Sequence, residues 1–420
     1  MASPKADATT TRCLGSLRAR VEDGRVRLTC YKTTPFFETT SGEPPDSVTI
    51  RVFRLAAPAF RFGRDYDEFF GGLDWREAAV IFEGVIPARN NRKYEFVDDG
   101  VAAGSTVAYW VGTDREEAAT GPAPVRVRDA RLWWPWAEIE RRLEQLAAEH
   151  PQYAELVPVG HTVHGRPLRA LLAGRRDRAL MLIGAVHPGE SGPELTLPAV
   201  GRLLRERPDL LARVGVAVLP SLCADERERL ALGHPSYLRV NSNGVDLNRN
   251  FPADWETVDY TYGLITDDPD SMTYRGPAPA SEPETRAVLA LCEHATPAAV
   301  LSYHHLGSLA GSAFLVSQAA ADDAAYLAAC GAINRAYRAG MAPADVAERP
   351  EIVHPGCTAG SLPTWFYRQH GIPAFDLESD RSPECVRSTT DEATVEDLSV
   401  QQEQHHRGLT AVLELLAQSE

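Results

Sequence analysis

From Leu17 to about Val127 the chain is a series of short runs in which apolar and polar residues alternate: SLRARV, RVRLTCY, SVTIRVF, AAVIFEGVI, KYEFVDDG, STVAYWVG and PVRVRD. A period of two places every second side chain on one face of an extended strand. Polar turns such as EDG separate the runs and no long helical stretch intervenes, so the pattern predicts an all-β sandwich over 15–129. Residues 1–14 carry no apolar periodicity and read as a tail. At Arg131 the period changes. Trp136, Ile139, Leu143, Leu146 and Ala147 recur at helical spacing between Pro135 and Pro151, which predicts an amphipathic helix and a domain boundary. Beyond it, continuous apolar runs of strand length (LRALLAG, ALMLIGAV, GVAVLP, AAVLSY, IPAFDL) alternate with helical stretches (ELTLPAVGRLLRERP, SEPETRAVLALCEHA, DAAYLAACGAINRAYRAG, EQHHRGLTAVLELLAQ). Strands that are apolar throughout are buried on both faces, so residues 130–420 are expected to form an α/β domain with a mixed, largely parallel sheet covered by helices on both sides.

Composition narrows the class. With 44% hydrophobic and 24% charged residues in 420, the chain has the balance of a globular protein. A formal charge of -15 argues against nucleic acid as a partner, since phosphate binding needs a clustered basic surface. No stretch reaches the ~18 to 20 apolar residues of a membrane span, and the start MASPKADATTTRCLG lacks the apolar block of a secretory signal, so a cytoplasmic location and no membrane partner are expected. Seven cysteines without CxxC or CxH spacing read as reduced thiols. Lys5, Lys32 and Lys93 are the lysines, so 40 of 43 basic residues are arginine and a single Arg carries little information by itself.

Candidate chemistry gathers where strands end. ALMLIGAV runs into His187-Pro-Gly-Glu190, and functional groups of open α/β sheets collect beyond the carboxyl ends of strands. His and Glu three apart on such a turn can face one metal ion, although the HxxE pattern alone is common by accident. AAVLSYHHLG offers a third ligand; His304, first after the apolar run, is preferred over His305, which points the other way on an extended backbone. Two His and one Glu leave a position open for water, the pattern of a catalytic zinc, one ion per chain.

The run RVNSNGVDLNRNFP is the most specific segment, and NGVDLNRNFP closely resembles a signature of the M14 class of zinc carboxypeptidases. Further matches follow in the family's order: WAEIERRLEQLAAEHPQYAELVPVGHTVHGRPLRALLAG, HPGE, YRGPAPASEPETRAV and GIPAFDLES, over residues 131–420. The resemblance implies a carboxypeptidase-like α/β catalytic domain in which His187, Glu190 and His304 bind Zn2+ and Glu378 is the general base and acid. It implies that Arg239 polarises the scissile carbonyl, and that Asn248 and Arg249 clamp the free carboxylate of the substrate. The residue two before the catalytic glutamate lines the family's pocket for the leaving side chain. Here that residue is Asp376, where Thr is common, which implies either a preference for a basic leaving residue or an internal pair with an arginine such as Arg381. The run YEFVDDGVAAGSTVAYWVG with GPAPVRV resembles the last strands of a fibronectin type III-like domain.

Departures from the family pattern are visible as well. No Tyr stands before the GS of EIVHPGCTAGSLPTW, where many members carry a mobile one, and the nearby His354 reads as a surface residue. The NPDG loop is replaced by Cys223-Ala-Asp-Glu226. HPGES resembles the cytosolic carboxypeptidase branch, whereas NGVDLNRNF is closer to the secreted and bacterial amidase-like branches. The expected activity is a zinc metallo-carboxypeptidase acting on a peptide or small amide with a free carboxylate. The alternatives are a zinc amidase or deacylase on a small natural product or γ-glutamyl-diaminopimelate peptide, and an inactive binding module on the same fold.

Overall fold

β-branched and aromatic residues at a period of two build β1 (Leu14–Glu22), β2 (Arg25–Lys32), β3 (Ser47–Ala57), β4 (Ala79–Pro87), β5 (Lys93–Asp98), β6 (Thr106–Thr113) and β7 (Thr120–Arg126). They pair antiparallel in two sheets, of order β1-β2-β5 and β4-β3-β6-β7. Val26, Leu28 and Cys30 of the first sheet share one buried core with Ile50, Val52, Tyr109 and Val111 of the second. Asp98 of β5 ties the sheets together, meeting Arg54 of β3 at 2.9 Å and accepting from the Tyr109 hydroxyl of β6 at 2.9 Å. The structure is a computed structural model, and it describes residues 14–32, 47–57, 66–87, 92–113, 119–190, 192–259, 264–304, 313–341, 353–378 and 395–418. The expected tail therefore lies, except for Leu14, outside the described residues, as do His305 and Arg381.

The chain divides into two units, Met1–Ala130 with Arg229–Tyr237, and Arg131–Glu228 with Leu238–Glu420. Periodicity keeps Arg229–Tyr237 within 130–420, whereas backbone pairing joins it to the first unit. Val21 N donates to Leu232 O at 2.8 Å and Arg126 N to Gly233 O at 2.8 Å, and Arg128 Nη1 reaches Leu230 O at 2.8 Å and His234 O at 2.6 Å. Gly233 has φ of +104°, and a Cβ there would lie 2.4 Å from a Val125 methyl, so only glycine fits this close approach. A short excursion of this kind has no period, so local pattern cannot reveal it.

In the second unit β8 (Ala154–His161), β9 (Pro167–Ala173), β10 (Ala179–Ile183), β11 (Gly215–Leu219), β12 (Pro297–Tyr303), β13 (Ala313–Ser317), β14 (Val353–Cys357) and β15 (Ala374–Glu378) form one mixed sheet of order β14-β13-β15-β12-β10-β11-β9-β8. Its centre, β11-β10-β12-β15, is parallel, and antiparallel pairs flank it. Leu180 and Leu182 of β10 enter one apolar core while Met181 and Ile183 enter the other, which is why the run is apolar at every position. The first core is closed by α1 (Trp136–Glu149), α2 (Pro193–Glu206), α5 (Ala324–Met341) and α7 (Val395–Gln418), and the second by α4 (Pro283–His294) and α6 (Leu362–His370). The CADE segment opens another helix, α3 (Ala224–Ala231). Among the described residues no helix is long and apolar enough to cross a membrane.

One buried group in the first core makes stability depend on pH. His405 of α7 lies with Nε2 2.8 Å from the Tyr303 hydroxyl and Nδ1 2.7 Å from the Tyr337 hydroxyl. Burial, assisted by neighbouring His406, pushes its pKa down to about 3. The unfolded imidazole titrates near 6.5. Between these values the unfolded chain holds the extra proton, so stability is lost as pH falls through this window, by about 1.4 kcal/mol per pH unit for one such group. Replacing His405→Gln should reduce the slope of unfolding free energy between pH 6.5 and 5 relative to wild type. Denaturant titrations showing equal slopes would assign the acid sensitivity to other groups.

Candidate active site and metal centre

The turn after β10 is built for close approach. A Cβ on Gly184 would lie 2.2 Å from Pro220 O, and Ala185 takes a left-handed φ of 45°, a strained conformation of the kind found at functional sites. The turn delivers His187 and Glu190 into the interior. His304 follows β12, with its backbone N–H bonded to Leu377 O at 3.2 Å. All three side chains are buried, and their ligand atoms lie within 4.8 Å of one another.

Protonation geometry shows what this cluster suits. Glu190 Oε2 is 2.9 Å from Nδ1 of His187 and 2.9 Å from Nδ1 of His304, and the two Nδ1 atoms are 3.2 Å apart. On the far side of each ring, Nε2 faces a carboxylate: Asp246 Oδ1 at 3.0 Å from His187, Asp376 Oδ1 at 3.0 Å from His304. A ring that gives its Nε2 proton to a carboxylate turns the unshared pair of Nδ1 inward. Two inward pairs and a carboxylate at this spacing need a shared positive charge, and two nitrogens with one oxygen are a donor set for zinc. The electrostatics agree. Burial alone would lower the His304 pKa, yet Asp376 and Glu190 hold it well above its ordinary value. Burial would raise Glu190, and the two imidazoles instead hold it well below the usual carboxylate range.

Around the cluster stand the other expected site residues. Glu378 ends β15, and burial, opposed by His304 and reinforced by Glu190 and Asp376, pushes its pKa up to about 7, in the range suited to a general base near neutrality. Arg239, partly exposed, binds Asp246 Oδ2 through Nε at 2.9 Å and Nη2 at 2.8 Å. Asp246 also accepts from Asn248 N at 2.9 Å; burial opposes its ionisation, and Arg239 with His187 outweighs burial and depresses its pKa. Arg249 donates Nε to Leu264 O at 2.7 Å and Nη1 to Asn248 O at 2.8 Å.

Two side chains expected to face substrate are engaged inside the protein. The Asn248 amide donates to Asp376 Oδ2 at 2.8 Å and accepts from Leu362 N at 2.9 Å. Asp376 is buried, and with His304 on one oxygen and Asn248 on the other, the carboxylate on which the basic-residue preference depended is occupied. Strand alternation puts Asp376 and Glu378 on one face, but sequence could not show that a histidine lies under that face. His354 is exposed on β14.

Two residues escaped the sequence reading. Asp246 lies within the NGVDLNRNFP signature, where only Asn248 and Arg249 were given roles. Arg227 carries no local signal among so many arginines. It is buried, stacks 4.1 Å over Trp133, pairs with Glu194 at 2.8 Å, and donates to the carbonyls of Pro188 and Glu190 at 3.1 and 2.9 Å, so it braces the HPGE turn.

A mixed α/β sheet with two histidines and a glutamate converging beyond its central strands defines the carboxypeptidase-like fold. The chain belongs to the zinc carboxypeptidase family, Peptidase_M14, whose model matches residues 139–384. It is 39% identical over 137 residues to murein peptide amidase A of Escherichia coli strain K12, covering 31% of this chain and 50% of that protein. It is 31% identical over 171 residues to mast cell carboxypeptidase A of Rattus norvegicus, covering 36% of this chain and 40% of that one. The chain thus spans about half the length, or less, of these curated relatives. Bovine thrombin-activatable fibrinolysis inhibitor, solved in complex with tick carboxypeptidase inhibitor, shares the fold at a TM-score of 0.56 and 15% identity, over 70% of this chain and 100% of that one.

Proposed function

We propose that the chain is a zinc-dependent carboxypeptidase that hydrolyses the amide bond next to a free carboxylate, with His187, Glu190 and His304 as metal ligands. The convergence of those three side chains beside Glu378 carries the reading. When bound, zinc supplies Lewis acidity that polarises a carbonyl and lowers the pKa of water toward about 7. Glu378 takes the proton of the attacking water and returns it to the leaving amine. Arg239, oriented by Asp246, presents its guanidinium to the oxygen on which negative charge develops. Arg249 binds the substrate carboxylate, with two of its N–H groups fixed by Leu264 O and Asn248 O so that the guanidinium plane is set beforehand.

A second reading, an amidase acting on a small peptide, draws support from the identity shared with murein peptide amidase A and from the Asn248 amide being engaged by Asp376 and Leu362. The first unit, in this proposal, is a separate fibronectin type III-like module over 15–129; its three-stranded β1-β2-β5 and four-stranded β4-β3-β6-β7 sheets support that reading.

Substrate ends test the carboxypeptidase reading. Losing a charge-assisted pair should lower kcat/KM of Arg249→Ala roughly 10- to 100-fold on peptides with a free C-terminus. C-terminally amidated peptides should be poor substrates for the wild type and unaffected by the substitution. Equal cleavage of free and amidated peptides by the wild type would replace the exopeptidase by an amidase or endopeptidase.

A further inference from the structure

Both imidazoles of the candidate metal centre have a buried carboxylate behind them, yet the two carboxylates come from unrelated places in the chain. Asp246 stands behind His187 and belongs to the NGVDLNRNFP loop. Asp376 stands behind His304 and comes from β15, where sequence alone suggested a pocket lining. Its Oδ1 lies 3.0 Å from His304 Nε2, which is also 3.0 Å from Ser302 Oγ. Its Oδ2 accepts from Asn248 Nδ2 at 2.8 Å and from Cys357 Sγ at 3.3 Å. The Cys357 thiol is fully inside the protein, where burial and then Asp376 push its pKa well up, so it remains a donor. Asp376 therefore has two protein donors on Oδ2, while its buried Oδ1 has the His304 ring as its ion-pair neighbour at 3.0 Å and makes no other contact of hydrogen-bond geometry among the described residues.

We propose that Asp376 is the positioning residue of His304, that Asn248 and Cys357 hold it in place, and that the identity of the leaving residue is not read by this carboxylate. The inference rests on the reading of His304 as a metal ligand. A carboxylate that accepts the Nε2 proton fixes the tautomer, aims the Nδ1 pair at the metal position and raises the basicity of the ring. With Asp246 doing the same for His187, both nitrogen donors are oriented by charge, and the buried negative charge of Glu190, Asp246 and Asp376 favours a divalent cation over two protons. A neutral side chain at 376 would leave His304 with Ser302 Oγ beside Nε2, and a hydroxyl can accept or donate, so neither tautomer would be selected. The same geometry reassigns Asn248: its amide reaches Asp376 across the fold and is committed there.

The full chain, with Asp376→Asn and Asp376→Thr, separates this role from a pocket role. Zinc affinity is measured by competition with a chromogenic chelator, the ligand field by the visible spectrum of the Co2+-loaded protein, and selectivity by kcat/KM for substrates ending in Lys against Leu. Positioning predicts zinc binding weakened about 10- to 100-fold in both variants, a shifted Co2+ band, and an unchanged Lys-to-Leu ratio. Thr at 376 has nearly the volume of Asp and is β-branched, as suits a strand, so it serves where the Asn variant does not fold. Zinc affinity within about twofold of wild type in a folded variant, or a changed Lys-to-Leu ratio at constant affinity, would overturn the proposal. A wild type that binds no zinc would instead overturn the metal-ligand assignment of His304.

Discussion

Glu378→Gln is expected to lower kcat about 100- to 10,000-fold while zinc content stays at one ion per chain and the melting temperature changes little. The amide has the size of the carboxylate but cannot take a proton from water. Burial beside Glu190 and Asp376 lifts the Glu378 pKa to about 7, which suits the proposed role of accepting a proton and releasing it to an amine. KM should move less than kcat, because a proton in flight exists only in the transition state. Activity of the variant within a few-fold of wild type would place the base elsewhere; activity lost together with zinc would make Glu378 a ligand.

The second large effect is on the metal. His187→Ala removes one of two nitrogen donors and leaves the inward face of Glu190 with His304 alone. Replacing a residue behind a ligand typically costs about 10- to 100-fold in affinity, so deletion of a ligand itself should exceed that range, and the variant should emerge from purification nearly free of zinc. Asp246 keeps Arg239 as its partner, so the buried carboxylate is not stranded and the fold should persist. Elemental analysis showing full zinc occupancy in His187→Ala, or none in the wild type, would refute the assignment.

Arg227 donates to two carbonyls of the HPGE turn from the CADERER helix, the segment that replaces the family's NPDG loop. What the turn needs is a donor at its carbonyls, and in this chain Arg227 supplies it.

Much of this was legible in the residues. A period of two wrote the strands of the first unit, and unbroken apolar runs wrote the central strands of the second, because a strand buried on both faces admits no polar position. HPGE and AAVLSYH placed His187, Glu190 and His304 at strand ends, whereas Glu378 was nominated only through the resemblance of GIPAFDLES to the family's strand. Fold class follows from which faces must be buried, and that is encoded locally.

The tertiary structure decided who partners whom. Asp376 and Asn248 stand 128 positions apart, and Arg227 and Glu190 37 apart, so no window of sequence contains either pair. Arg229–Tyr237 joins the first unit by backbone bonds to Val21 and Arg126, which have no side-chain signature. Alternation correctly put Asp376 on the face of Glu378; it could not say that His304 and Asn248 wait there. Periodicity records the direction of a side chain relative to its own strand. What it meets is set by the order β15-β12-β10 in the sheet, which brings distant strand ends together, and burial then obliges every charged group there to find a partner.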